Sequence, residues 1–287
     1  MNLAALSVTL VRACLRDGGG GSPTAVLTEP GGRGLTDEER RRIPGLAGAS
    51  HAVFVDEGRR GAAAVSLRFF TAEGELPACG HGTVAALAFL AERSGGTRYR
   101  AVLETGNGRG IAGQAERQGD LTAAEFEAGR VELRVPVASE VDLIGSALGL
   151  PGRPDAVAVA TLGRPRMLIA VSGRSELDAL APDFPALRDA CLRLGLLGCY
   201  VYAALPGGER RFAARMFAPA IGVPEDIANA NSTACLAAVL HACEGISVDM
   251  GDSLGSPATV TAAADPGLPP LVRVGGTALV GPTLLLP

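Results

Sequence analysis

Two distant stretches of this 287-residue chain carry the same short pattern, and that repetition limits the possible folds more than any other feature. Arg68-Phe69-Phe70-Thr71-Ala72-Glu73-Gly74-Glu75-Leu76-Pro77 and Arg215-Met216-Phe217-Ala218-Pro219-Ala220-Ile221-Gly222-Val223-Pro224 align on Phe70 and Phe217, 147 residues apart. Each copy reads as a strand, a proline-containing loop, a short polar segment and an Ala/Leu-rich helix, through Ala85 to Leu90 in one and Leu236 to Leu240 in the other. Such a duplication predicts two similarly built lobes. Many short strands around few helices predict the α+β class.

The coarse pattern fills in these lobes. Leu6 to Leu15, the glycine run ending at Ser22-Pro23, and Thr24 to Thr28 read as strand, turn, strand. Leu35 to Arg42 reads as a short helix stopped by Pro44-Gly45, Ala52 to Val55 as a strand, and Gly82 to Arg93 as a largely buried helix. In the second half, Ala156 to Leu162 and Arg166 to Ser172 form a hairpin around Gly163-Arg164-Pro165. Helical patterns follow at Ser175 to Leu180 and Ala186 to Leu194, then a strand at Arg211 to Ala218 and a helix beginning near Ser232. The expected lobes are residues 1–125 with 271–287, and residues 126–270. Leu271 to Pro287 should cross back as a strand pair, with Gly275-Gly276 at a hairpin turn or close to a ligand.

Composition removes several kinds of chemistry. All 26 basic residues are arginine, so Schiff-base chemistry, pyridoxal enzymes and the P-loop lose their essential amine. The one G-x-G-x-x-G, Gly108 to Gly113, stands outside any strand–glycine turn–helix unit, which disfavours a nucleotide cofactor. A net charge of −4 and 4% aromatic residues, with no tryptophan, argue against a nucleic-acid partner. The one dense basic run, Arg40 to Arg42, follows the capping-box pattern Thr36-x-x-Glu39 and reads as a solvated helix face. No long apolar run predicts a membrane span, and a cytoplasmic location is expected. Six cysteines without a C-x-x-C pair predict neither a disulfide framework nor a structural zinc site.

Two helix starts therefore draw the functional reading. The first turn of a helix leaves backbone N–H groups without intrahelical partners and carries partial positive charge, so it attracts carboxylates. One start is Cys79-Gly80-His81-Gly82-Thr83, whose glycines allow close approach of a ligand; the other is Asn229-Ala230-Asn231-Ser232-Thr233, rich in capping residues with amides available to a ligand. If the lobes face each other, both starts serve one anion. Among three histidines, His81 lies in the first start and His51 precedes the strand from Ala52, whereas His241 sits late in an apolar helix and reads as structural. Asp226 either caps the second start or acts in the site.

At these residues the chain resembles the phenazine-biosynthesis (PhzF-like) proteins, within the diaminopimelate epimerase and proline racemase fold. The matching pieces are Gly20-Gly21-Ser22-Pro23, Arg68-Phe69-Phe70-Thr71 with Glu75-Leu76-Pro77, Cys79-Gly80-His81, and Arg215-Met216-Phe217-Ala218-Pro219 with Glu225-Asp226. The resemblance implies two pseudo-symmetric lobes, each a curved, mostly antiparallel, barrel-like sheet around a central helix, with the site in the cleft. It further implies a homodimer, no cofactor, no metal, and a small carboxylate substrate whose proton is moved by side chains. The family's glutamate shuttle falls at His51, an imidazole able to accept and return a proton near neutral pH. His51, Asp226 and His81 are thus the expected catalytic residues. Ser22, Cys79, Gly80, Gly82, Thr83, Asn229, Asn231 and Ser232 are the expected substrate-binding ones. The family loop Asp-Pro-Ala-Thr-Gly-Ser reads Asp226-Ile227-Ala228-Asn229-Ala230-Asn231 here, so substrate orientation should differ.

The expected activity is a proton or double-bond shift on an unsaturated cyclic amino acid, in antibiotic-type secondary metabolism, with phenazine-type or 4-alkylproline-type intermediates as substrates. One alternative is a cysteine-dependent racemase, with Cys79 as one thiol and a second expected near Ala228, where the sequence has none. Another is a binding protein without catalysis.

Overall fold

The computed structural model describes residues 6–29, 34–58, 64–106, 108, 110–154, 156–207 and 210–286. The chain divides into two compact units: Met1–Glu127 with Gly275–Pro287, and Ala128–Val274. Among the described residues, no helix is long and apolar enough to cross a membrane.

The first unit is built from β1 (Ser7–Ala13), β2 (Ser22–Thr28), α1 (Asp37–Leu46), β3 (His51–Asp56), β4 (Val65–Phe70), β5 (Glu75–Leu76), α2 (Gly80–Ser94), β6 (Arg98–Glu104), β7 (Gly110–Gln118) and β8 (Leu121–Arg130). The second comprises β9 (Glu132–Arg134), α3 (Ala138–Leu148), β10 (Val157–Leu162), β11 (Arg164–Ala170), α4 (Arg174–Ala179), α5 (Phe184–Leu194), β12 (Cys199–Ala204), β13 (Arg211–Ala218), β14 (Val223–Asp226), α6 (Ala230–Val239), β15 (Ile246–Met250) and β16 (Ala258–Ala264). The last strand, β17 (Leu271–Leu285), returns to β1 and β8.

In the first unit β2, β1, β17, β8, β7, β6, β4 and β3 pair in turn, and β3 closes onto β2, giving a ring of eight strands. Most pairs are antiparallel; β2–β3 and β4–β6 are parallel. Helix α2 fills this barrel and is buried from Gly80 to Ala91. Its small residues let the strands close in, and Gly113 on β7 makes room for Leu87, whose Cδ2 would lie 2.9 Å from an added Cβ. Alternation along β3 splits its side chains between two layers. Ala52 and Phe54 join Ile43 of α1 in an outer core, whereas Val53 and Phe69 abut Gly82 on α2.

The second unit repeats this order. The pairs β10–β11 (antiparallel), β11–β12 (parallel), β12–β13 (antiparallel), β13–β14 (antiparallel), β13–β15 (parallel) and β15–β16 (antiparallel) mirror β1–β2, β2–β3, β3–β4, β4–β5, β4–β6 and β6–β7. Helix α6 follows β14 as α2 follows β5, and it too is almost wholly buried. The repeat extends to side chains. Arg68 donates to both carboxylate oxygens of Glu75, each at 2.7 Å, and Arg215 does the same to Glu225 at 2.9 and 2.8 Å. Each guanidinium also lies over a phenylalanine ring, Arg68 5.1 Å from the Phe70 centroid and Arg215 4.9 Å from that of Phe217. The duplicated motif is thus a bidentate strand-to-strand clamp under each helix start.

Three expectations need correction. Pro44 does not stop α1, which runs on to Leu46: the Thr36 capping box forms, and Pro44 removes one donor without ending the turn. Gly275-Gly276 is no hairpin turn but lies inside the continuous 15-residue β17, where an added Cβ on Gly276 would sit 3.0 Å from Cys14 Sγ. The tail is therefore one strand rather than a pair, and Pro287 lies outside the described residues. Helix α6 begins at Ala230, two residues earlier than expected, with Asn229 as its cap.

Candidate functional site

In the first unit, His51 opens β3, pairing with Thr24 of β2, and Cys79 and His81 begin α2. All three are buried: 9% of His51, 6% of Cys79 and 3% of His81 remain exposed. One donor atom from each lies within 4.8 Å of the other two. The His51 and His81 rings meet edge to face at 4.3 Å between centroids, and Cys79 Sγ is 3.4 Å from His81 Nε2.

Local structure explains why these side chains converge. Strand alternation sends His51 to the same face as Val53, the face that abuts α2. Cys79 has extended backbone at the N-cap, which lets residues two apart turn toward each other across the helix start. Ser50 Oγ donates to Pro23 O at 3.4 Å and lies 2.9 Å from His51 Nδ1. Ser50 thus holds the imidazole through Nδ1, and Nε2 is its other ring nitrogen.

No side-chain bond from Cys79 caps α2, in contrast to α1, where Thr36 accepts from Glu39 N. Thr83 instead donates back to Cys79 O, from its amide and its hydroxyl, both at 2.9 Å. The amides of Gly80, His81 and Gly82, the first three of the helix, therefore have no intrahelical acceptor. Gly82 is hemmed in: an added Cβ would meet Phe69 Cδ1 at 3.0 Å, Cys79 Sγ at 3.1 Å and Val53 Cγ2 at 3.1 Å. Ser22 shares the inward face of β2 with Thr24, is 1% exposed, and its hydroxyl has no hydrogen-bond partner.

The second unit builds the equivalent start differently. Thr233 donates to Asn229 O from its amide and hydroxyl, both at 3.1 Å, repeating the Thr83–Cys79 bonds; Cys79 and Asn229 are therefore counterparts. This moves the position expected for a second racemase thiol from Ala228 to Asn229, an amide. Cys235 lies deeper in α6, and burial pushes its thiol pKa up. Asn229 Oδ1 accepts from Ser232 N at 2.9 Å, so this amide is not available to a ligand as the capping composition had suggested. Asp226, half-buried at the end of β14, accepts from Asn229 Nδ2 at 2.9 Å and from Ala228 N at 3.4 Å. It anchors the loop with both carboxylate oxygens. Asn231 is partly exposed at the second position of α6.

Arg166 was not anticipated. It is 1% exposed, its NH1 donates to Ser232 Oγ at 3.4 Å, and NH2 donates to Leu162 O and Arg164 O at 2.9 and 2.7 Å. Its Nε has no partner, and no carboxylate pairs with it among the described residues. A buried cation here adds to the positive end of α6. Sequence alone offered only one arginine among 26, and its burial follows from β11 register, in which Arg166 faces inward with Leu168.

Comparison with known proteins agrees with this architecture. A family model described as "Phenazine biosynthesis-like protein" matches residues 12–280. An uncharacterized isomerase of Deinococcus radiodurans is 33% identical over 241 residues, covering 79% of this chain and 73% of the relative. A trans-2,3-dihydro-3-hydroxyanthranilate isomerase of Pseudomonas fluorescens is 28% identical over 266 residues, 88% of each chain. The crystal structure of a PhzF-family phenazine biosynthesis protein from Bacillus anthracis superposes with a TM-score of 0.82 at 19% identity, covering 97% of this chain and 98% of that one. With its duplicated α+β units and a family match running through both, the chain belongs to the phenazine biosynthesis-like (PhzF) family of isomerases.

Proposed function

We propose that this isomerase moves a proton between two carbons of a small unsaturated cyclic amino acid or related carboxylate, with His51 as the shuttle. The observation that carries the reading is the buried meeting of His51 with His81 and Cys79, donor atoms within 4.8 Å, with Ser50 holding the His51 ring at Nδ1. In the scheme, the His51 imidazole takes a proton from one carbon, the electron pair delocalises into the conjugated carboxylate, and the imidazolium exchanges its proton with solvent and then protonates another carbon. Substrate and product differ only in where that proton and double bond lie. The uncapped start of α2 would hold the negative charge that develops, and His81 would orient or polarise the substrate. Asp226 is assigned to holding Asn229 and the α6 start in place. The substrate class proposed is that of antibiotic-type secondary metabolism, 4-alkylproline-type or phenazine-type, acted on without a cofactor by a cytoplasmic homodimer.

The test is solvent deuterium. Candidate cyclic amino acids incubated in heavy water should gain one non-exchangeable deuterium in product, and His51→Gln should slow this by about 10²–10⁴-fold. Full activity in both His51→Ala and Asp226→Ala would overturn the assignment. A ligand that binds without exchange under any condition would favour a binding protein.

One observation favours a second reading, the 3.4 Å Cys79–His81 contact, which suits an activated thiol. The amide at Asn229 argues against a two-thiol racemase. Iodoacetamide inactivation that tracks Cys79 modification, together with loss of activity in Cys79→Ser, would revive it.

A further inference from the structure

We propose that His51, Cys79 and His81 form a three-ligand site for a borderline-soft transition-metal ion, Zn²⁺ being the best match. Two imidazoles and a thiol, all at least nine-tenths buried, place one donor atom each within a mutual 4.8 Å. Tetrahedral zinc, with Zn–S of about 2.3 Å and Zn–N of about 2.0–2.1 Å, needs sulfur and nitrogen ligands about 3.6 Å apart. The Cys79 Sγ to His81 Nε2 distance of 3.4 Å meets that spacing.

The surroundings also suit a metal. A ligating histidine generally donates its other ring N–H to an oxygen, which fixes the lone pair toward the ion. Ser50 Oγ, 2.9 Å from His51 Nδ1, can accept that bond. Phe69 and Val53 wall the start of α2 beside Cys79 with apolar atoms. Nitrogen and sulfur donors select zinc or copper(I) over magnesium and calcium. The ligands come from the first residue of β3 and the first turn of α2, both inside the first unit, so the fold brings them together before any metal arrives. On coordination Cys79 loses its thiol proton to solvent, and the three side chains leave a fourth position for water or an anion.

This site stands on geometry and is independent of the proton-shuttle reading. The two meet in one consequence, which does rest on that reading: a metal on the His51 imidazole occupies the lone pair the shuttle uses, so the loaded protein should be inactive and recover when a chelator strips the ion.

The test titrates chelator-treated full-length protein with Co²⁺ and Zn²⁺. One equivalent of Co²⁺ should bind and give the intense visible bands of a tetrahedral site with a thiolate-to-cobalt charge-transfer band, which Zn²⁺ displaces. Cys79→Ser should abolish the charge-transfer band, and Cys79→Ser, His51→Gln and His81→Gln should each weaken binding by at least about tenfold. Cys243→Ser, which removes the exposed thiol, should leave binding unchanged. Circular dichroism confirms that each variant is folded. Absence of stoichiometric binding at micromolar metal overturns the site, as does binding that survives Cys79→Ser but disappears in Cys243→Ser. Deuterium exchange by the metal-free protein reports separately on the shuttle, so failure of either idea is read without the other.

Discussion

Gly82 and Ser232 occupy the same turn of equivalent helices, and their neighbours decide what each place tolerates. Ser232 Oγ finds Met216 Sδ at 3.4 Å and Arg166, while a Cβ on Gly82 would press on Phe69, Cys79 and Val53 within 3.1 Å. Gly82→Ala should therefore cost about 1–3 kcal/mol of stability, read from urea unfolding, and should raise KM by pushing a ligand off the α2 amides. Tyr200 makes a second residue-level prediction. Its hydroxyl bonds Thr233 Oγ1 at 2.8 Å, and burial raises its pKa above the ordinary 10.0 despite that bond. The folded protein thus favours the neutral phenol, and this stability is complete below about pH 10, falling as pH rises beyond it toward the folded value. Tyr200→Phe should lower stability at pH 7 by about 1 kcal/mol yet flatten the loss above pH 10, measured by denaturant midpoints across the alkaline range. His81 was legible in the sequence because glycines flank it at a helix start. The Ser50 contact that holds His51 was not, since it depends on Ser50 also reaching Pro23 O on a neighbouring strand.

Helices α2 and α6 descend from one pattern but end their first turns differently, which matters for where an anion is held. Asn229 caps α6 and is itself held by Asp226, whereas Cys79 leaves α2 without a side-chain cap. Asn229→Ala should destabilise the protein by about 0.5–2 kcal/mol, lowering the urea midpoint at unchanged slope, because Ser232 N–H loses its acceptor and Asp226 loses an amide donor. The chemistry carried by α2 should survive, visible as metal binding by the folded variant. The capping residues in Asn229-Ala230-Asn231-Ser232 suggest free amides, but the short range of the Asn229 to Ser232 bond, three residues, makes self-capping the outcome. The strands at Arg211 to Ala218 and around Gly163 were legible because turn residues bracket apolar runs. Gly275-Gly276 misled because a glycine pair signals a turn equally well as a close packing of backbone on Cys14.

At the level of the whole chain, the first unit is closed by residues from both ends of the sequence. Ser7 pairs with Leu285, and Leu286 N donates to Leu6 O at 3.0 Å. Strand β17 lies between β1 and β8 in the eight-strand ring, and Ala278 and Leu286 are buried in the unit it completes. An internal repeat alone does not show that the tail belongs to the first copy; long-range pairing decides this, and local periodicity carries no record of it. Deleting residues 275–287 should open the ring, leaving two unpaired strand edges and an uncovered core. The expected result is loss of hydrogen-exchange protection across β1, β2 and β8, with aggregation or dye-binding apolar surface, while β12, β13 and α6 of the second unit keep their protection. Leu285→Ser, at a side chain 72% exposed, should change stability by no more than about 0.5 kcal/mol, which separates loss of the strand from loss of one surface residue. Unchanged protection of β1 and β8 in the truncated chain would mean that the barrel holds without its closing strand, contrary to the pairing that joins the first and last residues of the fold.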